Sequence, residues 1–553
     1  MICGIIWLLA GLSAISRQEM QPHSLDALII GGGHNGLVCA YYLARAGMKV
    51  RILEARDVIG GAAVTEEFYP GFRNSTASYT VSLLQPKIIA DMGLVERGYR
   101  VVERPRSNFL PLGGGKYLLV GGSLEATQRE IARFSTADAA HLPDYYRMLE
   151  SAAKLLRDLA LEIPPNAEDG ALAMLSGIKT ARRFTRLSPL EQHEILKLFT
   201  LSARELLDQW FESAPIKAVF GFDAIVGNYA SPDTPGSAYV LLHHVFGEVN
   251  GKKGQWGHVI GGMGRITQLM AQACEEVGVK ISLETPVEKL LVEKGAAIGV
   301  RTRAEDIRAP KIIANVGPKL LYDRLIDPSD LPVDFRSMMA GYQCGSGSFR
   351  MNLALAGLPH FKDLPGTGDH LKSGIIMAPS LDYMDRAYQD ARQHGWSREP
   401  VVEMLIPSLV DDSLAPPGQH VASLFCQQFA PRLPDGRNWG DEREAAVSSI
   451  LDVVEQHAPG FRKLILGLMA LSPMDLENKF GLVGGDIFHG RMSLDQLWAA
   501  RPVIGAANYR GPIKGLYMCG SGTHPGGGVT GAPGHNAAKA ILRERGVLGR
   551  WFR

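Results

Sequence analysis

The chain has 553 residues, 46% of them apolar and 21% charged, enough for two or three domains around a large core. Its 58 basic and 57 acidic residues leave a net charge of +1, so the balance carries no footprint for nucleic acid. Cys3, Cys39, Cys274, Cys344, Cys426 and Cys519 form no C-x-x-C pair. That argues against a redox dithiol of that kind and a cysteine zinc knuckle, predicts no metal site, and fits a reducing compartment, the cytoplasm or alternatively the mitochondrial matrix.

Residues 2–15 are apolar but shorter than the ~18 of a spanning helix, with no basic residue before Arg17. Two readings stay open: an interfacial anchor making peripheral membrane contact, or a segment upstream of a start at Met20. The stretch 26–61, DALIIGGGHNGLVCAYYLARAGMKVRILEARDVIGG, is far more specific. Residues 27–30 read as a buried parallel strand. Gly31, Gly33 and Gly36 follow as G-x-G-x-x-G. Leu37, Ala40, Tyr41 and Ala44 make one helical face, Gly47 closes the helix, and 48–53 is a second strand ending at Glu54.

Each part suits a dinucleotide. The glycines allow a tight turn, backbone approach to a pyrophosphate, and close helix–strand packing. The helix N-terminus favours the phosphates. Glu54 can accept hydrogen bonds from a ribose and would repel a 2′-phosphate. Arg56 and the doublet Gly60-Gly61 come at once after it, where they can meet the pyrophosphate from its other side; this points to FAD rather than NAD.

Residues 68–82 read as a loop leaving the nucleotide domain, and 100–120 as short strands. From about 142 to 220 the period becomes helical, either a packed subdomain or a lid exposing apolar surface to a lipid-like substrate. In 231–247 (SPDTPGSAYVLLHHVFG) an apolar strand or helix carries His243 and His244, suited to packing or a pocket. On a strand they would face opposite ways and share no metal. GEVNGKKG resembles a phosphate loop only superficially, because Lys253 stands where Ser or Thr should be. A return to the nucleotide domain begins at 261–264 with a helix closed by Gly278, strands at 279–283 and 287–292, and a third at 311–314. Residues 321–480 leave it again. The closing GLYMCGSGTHPGGGVTGAPGHNAAKAIL (515–542) is a strand, a glycine-dense run and a helix from 536. Such a run lets backbone approach a flat ring, and a helix N-terminus aimed at it stabilises negative charge on a reduced flavin. G-x-S-x-G and H-E-x-x-H are absent.

Together with GGGHNGLV (31–38), VIGGAAVTEE (58–67), LLDQWFES (206–213), SPDTPGSAYVLLHHV (231–245), FHGRMSLDQLWAARP (488–502) and CGSGTHPGGGVTGAPG (519–534), the chain resembles the phytoene desaturase-like branch of the FAD-dependent oxidoreductases. The resemblance implies an α/β fold: a doubly wound, Rossmann-type FAD-binding domain from discontinuous segments (24–100, 255–320 and 481–545), preceded by an extension at 1–23. Inserted in it is an α+β substrate domain (101–254 and 321–480) with the helical part. It also implies that Gly31, Gly33, Asn35, Gly36, Glu54, Arg56, Gly60 and Gly61 hold the ADP half of FAD. Val287 would offer backbone to the adenine, and Gly522, Gly528 and Val529 would cradle the isoalloxazine side.

The expected activity is hydride transfer between an apolar, polyene- or lipid-like small molecule and flavin N5, with the electron acceptor unassigned. His524, inside the second glycine run, is the candidate acid or base, its other reading being a hydrogen bond to cofactor or backbone. His489, Arg491 and Arg501 stand either on a pocket wall or in a structural ion network. The rival expectations are a flavin-dependent double-bond isomerase or hydratase without net redox, and a regulatory flavoprotein.

Overall fold

The computed structural model describes residues 25–166, 171–544 and 546. The N-terminal extension of the sequence analysis lies outside them. Ala27–Ile30 (β1) is buried along its whole length at the centre of a five-stranded parallel sheet. His34–Arg45 (α1) crosses from β1 to Val50–Leu53 (β2), and Lys280–Ser282 pairs outside β2. On the other side of β1 come Ile312–Ala314 and then Leu516–Met518. Side chains alternate across a strand. Ala27 and Ile29 therefore join a core with Leu37 and Val38 of α1, Leu269 and Met270 of the helix Gly264–Glu276, and Ile541 of the helix Ala532–Glu544. Leu28 and Ile30 face the opposite layer, with Leu290, Val300 and Ile307 of an antiparallel meander over Val287–Glu293, Ala296–Thr302 and Asp306–Arg308. The parallel sheet thus draws on three stretches of sequence, and its last strand comes near the end of the chain.

A second sheet of seven strands lies beside it, in the order Ile465–Leu471, Ser348–Leu355, His420–Phe429, Trp396–Leu405, Gly374–Met377, Asn108–Gly113 and Lys116–Val120. All its pairings are antiparallel except that of Gly374–Met377 with Asn108–Gly113. One face packs Phe349, Met351 and Leu353 against the helix Trp439–His457. The other packs Leu110, Ile376 and Phe425 against a helical layer through Leu207, Phe220 and Phe222.

Several elements differ from the sequence expectations. The helical layer begins at Leu124 and ends at Val245, wider than 142–220, and it is a packed subdomain whose Tyr145, Phe211 and Phe220 rings meet at 4.9–5.6 Å. Residues 68–82 are not wholly loop. Thr65–Tyr69 and Phe72–Ser75 form a hairpin, because Pro70 and Gly71 (φ +81°) turn the chain tightly. Ser237–Val245 is a helix, so His243 and His244 do not face opposite ways, and both are buried. GEVNGKKG is a hairpin turned by Asn250 and Gly251, both at positive φ. The last helix starts at Ala532, four residues earlier than read, since Pro533 suits a first turn. No helix among the described residues is long and apolar enough to cross a membrane.

Candidate functional site

The two glycine-rich turns meet. β1 delivers Gly31–Gly33 to the start of α1, whose N-cap residue Gly33 supplies no capping side chain, leaving first-turn N–H groups for an anion. At the end of β2 the buried Glu54 carboxylate accepts the Gly32 N–H at 2.7 Å and the Arg56 N–H at 3.0 Å. Gly60 (φ +131°) donates its N–H to Gly32 O at 3.0 Å, closing a third strand of backbone over the turn. From the far end of the chain, Ser521 Oγ accepts the Asn35 side-chain N–H at 3.2 Å. A Cβ at Gly534 would lie 2.1 Å from Asn35 O, so only glycine lets the last helix approach α1 this closely.

The residues present fit FAD. Arg56 pairs one nitrogen with Glu66 at 2.5 Å while its other terminal nitrogen is buried without a protein partner. Asn35 Oδ1 and His34 Nε2 are likewise buried and unpartnered. An uncapped helix start, an acceptor at Glu54 and a donor at Arg56 match a pyrophosphate flanked by a ribose. The turn after Lys280–Ser282 packs on the same segment: Glu284 N–H binds Arg56 O at 2.9 Å and Thr285 N–H binds Glu54 O at 2.8 Å. Val287 opens the next strand two residues on. Gly528 and Val529 line a cavity together with Ser521 and His34. Gly522 is absent from that wall; a Cβ there would collide with Pro318 Cδ at 2.3 Å, so its smallness serves packing.

That cavity, about 190 Å³, runs from the second glycine turn between the two sheets. Its far wall is Phe222, Val226, Phe425 and Trp256, with an ionisable group set among them. Tyr79 O–H donates to Glu403 Oε2 at 2.5 Å, and the Arg104 guanidinium stands 3.9 Å from Glu403 Oε1 while donating to Thr80 Oγ1 at 2.7 Å. Below Tyr79 lies the fully buried Arg350, its Cζ 4.4 Å from the ring centroid, donating to Leu424 O and Ser423 Oγ. Asp223 projects from the helix Ala214–Ile225, and burial, followed by the Glu403 charge, pushes its carboxyl up to about 8 against the opposing pull of Arg104. Burial, then the neighbouring His489, lowers His34 to about 4, so it is a neutral ring in the wall.

His524 is not in that wall. Its ring bonds Leu159 O at 3.0 Å and stands edge-on to Trp498 at 4.5 Å, and burial lowers it to about 4. The acid–base assignment is therefore replaced by the backbone reading: His524 ties the glycine run to the helix Thr136–Ala160. Arg501, fully buried, makes no ion pair among the described residues. It donates to the carbonyls of Phe488 (2.7 Å), Ser521 (3.0 Å), Gln496 (3.1 Å), Gly490 and Arg491 (both 3.3 Å), stapling loop 488–496 to the second glycine turn. Arg491 bonds Gln343 at the surface, and His489 lines the cavity. Tyr79, Arg104, Asp223 and Glu403 were missed by sequence reasoning. The signal was a lone acid inside an apolar run, in FGFDAIVG and in VVEMLIP.

The family described as flavin-containing amine oxidoreductase matches residues 36–349. A mouse protein, pyridine nucleotide-disulfide oxidoreductase domain-containing protein 2, is 39% identical over 94% of this chain and 93% of its own. A phytoene desaturase (neurosporene-forming) from Cereibacter sphaeroides is 24% identical over 93% of this chain and 94% of its own. Among solved structures, an oxidoreductase from Methanosarcina mazei superposes with a TM-score of 0.58 at 16% identity, covering 94% of this chain and all of that one.

Proposed function

The chain belongs to the flavin-containing amine oxidoreductase family and is an FAD-dependent oxidoreductase, and on that premise we propose that it dehydrogenates an apolar, unsaturated small molecule. Bound FAD supplies the two-electron acceptor. The observation that carries the substrate class is the cavity: a slot from Gly528 and Val529 to Phe222, Phe425 and Trp256 whose lining is mainly apolar, with the polar cluster of Arg104, Asp223 and Glu403 set in it. The name of the Cereibacter relative, a desaturase of the hydrocarbon phytoene, agrees with it. This chain's residues hold and orient the reactants. The first turn of α1, Glu54 and Arg56 hold the dinucleotide. The Arg501 staple fixes the second glycine turn against the substrate slot.

An amine substrate is the reading the family name would favour. The cluster offers an amine no ready counter-charge: Glu403 is already engaged by Tyr79 and Arg104, and burial and Glu403 disfavour the ionised form of Asp223. The test is anaerobic. The purified protein should show flavin absorption near ~450 nm. Conjugated hydrocarbons and their oxygenated relatives should bleach it, and primary amines should not. Bleaching by amines alone would overturn the proposal, and sustained conversion without any electron acceptor would replace it with an isomerase.

A further inference from the structure

A second, larger cavity of about 420 Å³ lies outside the first, under the helical layer. The two share Ser107, Asn108, Asp223, Gln255 and Trp256 in their walls, so these residues form the neck between them. Among them Asp223 is the one acid, and among the described residues its carboxyl makes no hydrogen bond to protein. An elongated apolar ligand reaching from the flavin side to the outer cavity must pass it.

The geometry points to Asp223 as a neutral hydrogen-bond donor that recognises one uncharged acceptor oxygen, such as a ketone, aldehyde or ester carbonyl, on an otherwise apolar unsaturated ligand. The groups around Asp223 set its state. Glu403 and Arg104 face it from the sheet side, and Tyr145 and Tyr146 from the helix Thr136–Ala160. His244, one helix along, is spent on the main-chain carbonyls of Val240 and Asp223 and is lowered to about 4, chiefly by burial. The helices Ala203–Asp208 and Leu381–His394 meet this helix through Leu207 and Leu381.

The two carboxyls therefore divide roles. Glu403 accepts the Tyr79 O–H at 2.5 Å and has the Arg104 guanidinium 3.9 Å away; Asp223 has neither in hydrogen-bond contact. With its carboxyl pushed up to about 8 by burial and Glu403, Asp223 keeps its proton at neutral pH and loses it above 8. A hydrocarbon crossing the neck would leave that O–H without a partner, whereas a carbonyl satisfies it. Once ionised, the same group repels the carbonyl oxygen.

The inference rests on the dehydrogenase reading only in taking this cavity as the substrate site, and its test needs no turnover. The flavin-loaded protein is titrated by equilibrium dialysis with β-ionone, an apolar conjugated ketone, and with the hydrocarbon carrying CH2 in place of its oxygen. The ketone should bind about tenfold more tightly or better at pH 6.5, and the preference should fall towards unity by pH 9.5. Asp223→Leu should bind both alike, with the hydrocarbon affinity kept. Asp223→Asn, which retains a donor but cannot ionise, should keep the preference and lose its pH dependence, and it decides the matter if the leucine variant does not fold. Equal binding in the wild type, a ketone preference surviving in Asp223→Leu, or a pH dependence persisting in Asp223→Asn would overturn the inference. Flavin absorbance read on the same samples separates the two claims: colourless protein that still prefers the ketone refutes the flavin reading and leaves this one standing.

Discussion

At the nucleotide end of the cleft the contacts are mostly main-chain: Gly60 N–H to Gly32 O, Gly32 N–H to Glu54, and five carbonyls gathered by Arg501. At the substrate end they are side chain to side chain: Tyr79 to Glu403, Arg104 to Glu403, and Asp223 beside them. Backbone is chemically uniform, so the first end is tuned largely by shape, through glycines that admit close approach and through Glu54 and Arg501, whose side chains are held in main-chain bonds. Ionisable side chains respond to pH and to one another, so the second end can select. Damage at the first end should cost cofactor and fold together; damage at the second should alter what is bound while leaving the yellow colour.

The sharpest break of that contrast is Gly534→Val, whose Cβ falls 2.1 Å from Asn35 O. It should lose flavin on purification and about 3 kcal/mol of stability, read by absorbance and urea unfolding. Arg501→Met strands five carbonyls and should cost roughly 2–3 kcal/mol with weakened flavin retention, measured in the same way. If it unfolds no more easily than the wild type, the staple is idle. On the substrate side, Tyr79→Phe removes one donor from buried Glu403 and should cost about 1–2 kcal/mol in urea while flavin content stays full.

Asp223→Asn tests the ionisable end through stability. The folded pKa of Asp223, about 8, lies above its ordinary 3.8, so the native state holds the extra proton between those values. The stability this contributes is complete below pH ~4 and is lost as pH rises through ~8. Relative to wild type, the asparagine variant should gain in Tm progressively from pH 4 to 8 and level off above, in thermal scans at fixed ionic strength. Smallest of all, His524→Ala should leave the pH profile of flavin reduction in place. A lost ionisation there would restore the histidine to the chemistry.

The same contrast explains what could be read beforehand. Gly31, Gly33 and Gly36 with Glu54 sit within one short window, where fixed offsets carry the geometry, and the 519–534 run is equally local. The substrate end is assembled from Tyr79, Arg104, Asp223 and Glu403, on separate elements that meet only when the second sheet and helical layer close. No spacing rule links them. His524 misled for the complementary reason: its neighbours in sequence belong to the cleft, while its ring turns away to Leu159 O. Short hairpins went unread where a turn was tight, as at Pro70-Gly71 and Asn250-Gly251.

The bond from Asn35 to Ser521 joins residues 486 positions apart. A ribosome working at ~5–20 residues per second exposes the first turn roughly 25–100 s before the second emerges. During that interval the strand Ile312–Ala314 keeps an unpaired edge that only Leu516–Met518 will cover, so the coenzyme cleft closes late in synthesis. Folding helpers that shield strand edges, and the local supply of riboflavin-derived coenzyme at that moment, should govern the yield of mature protein.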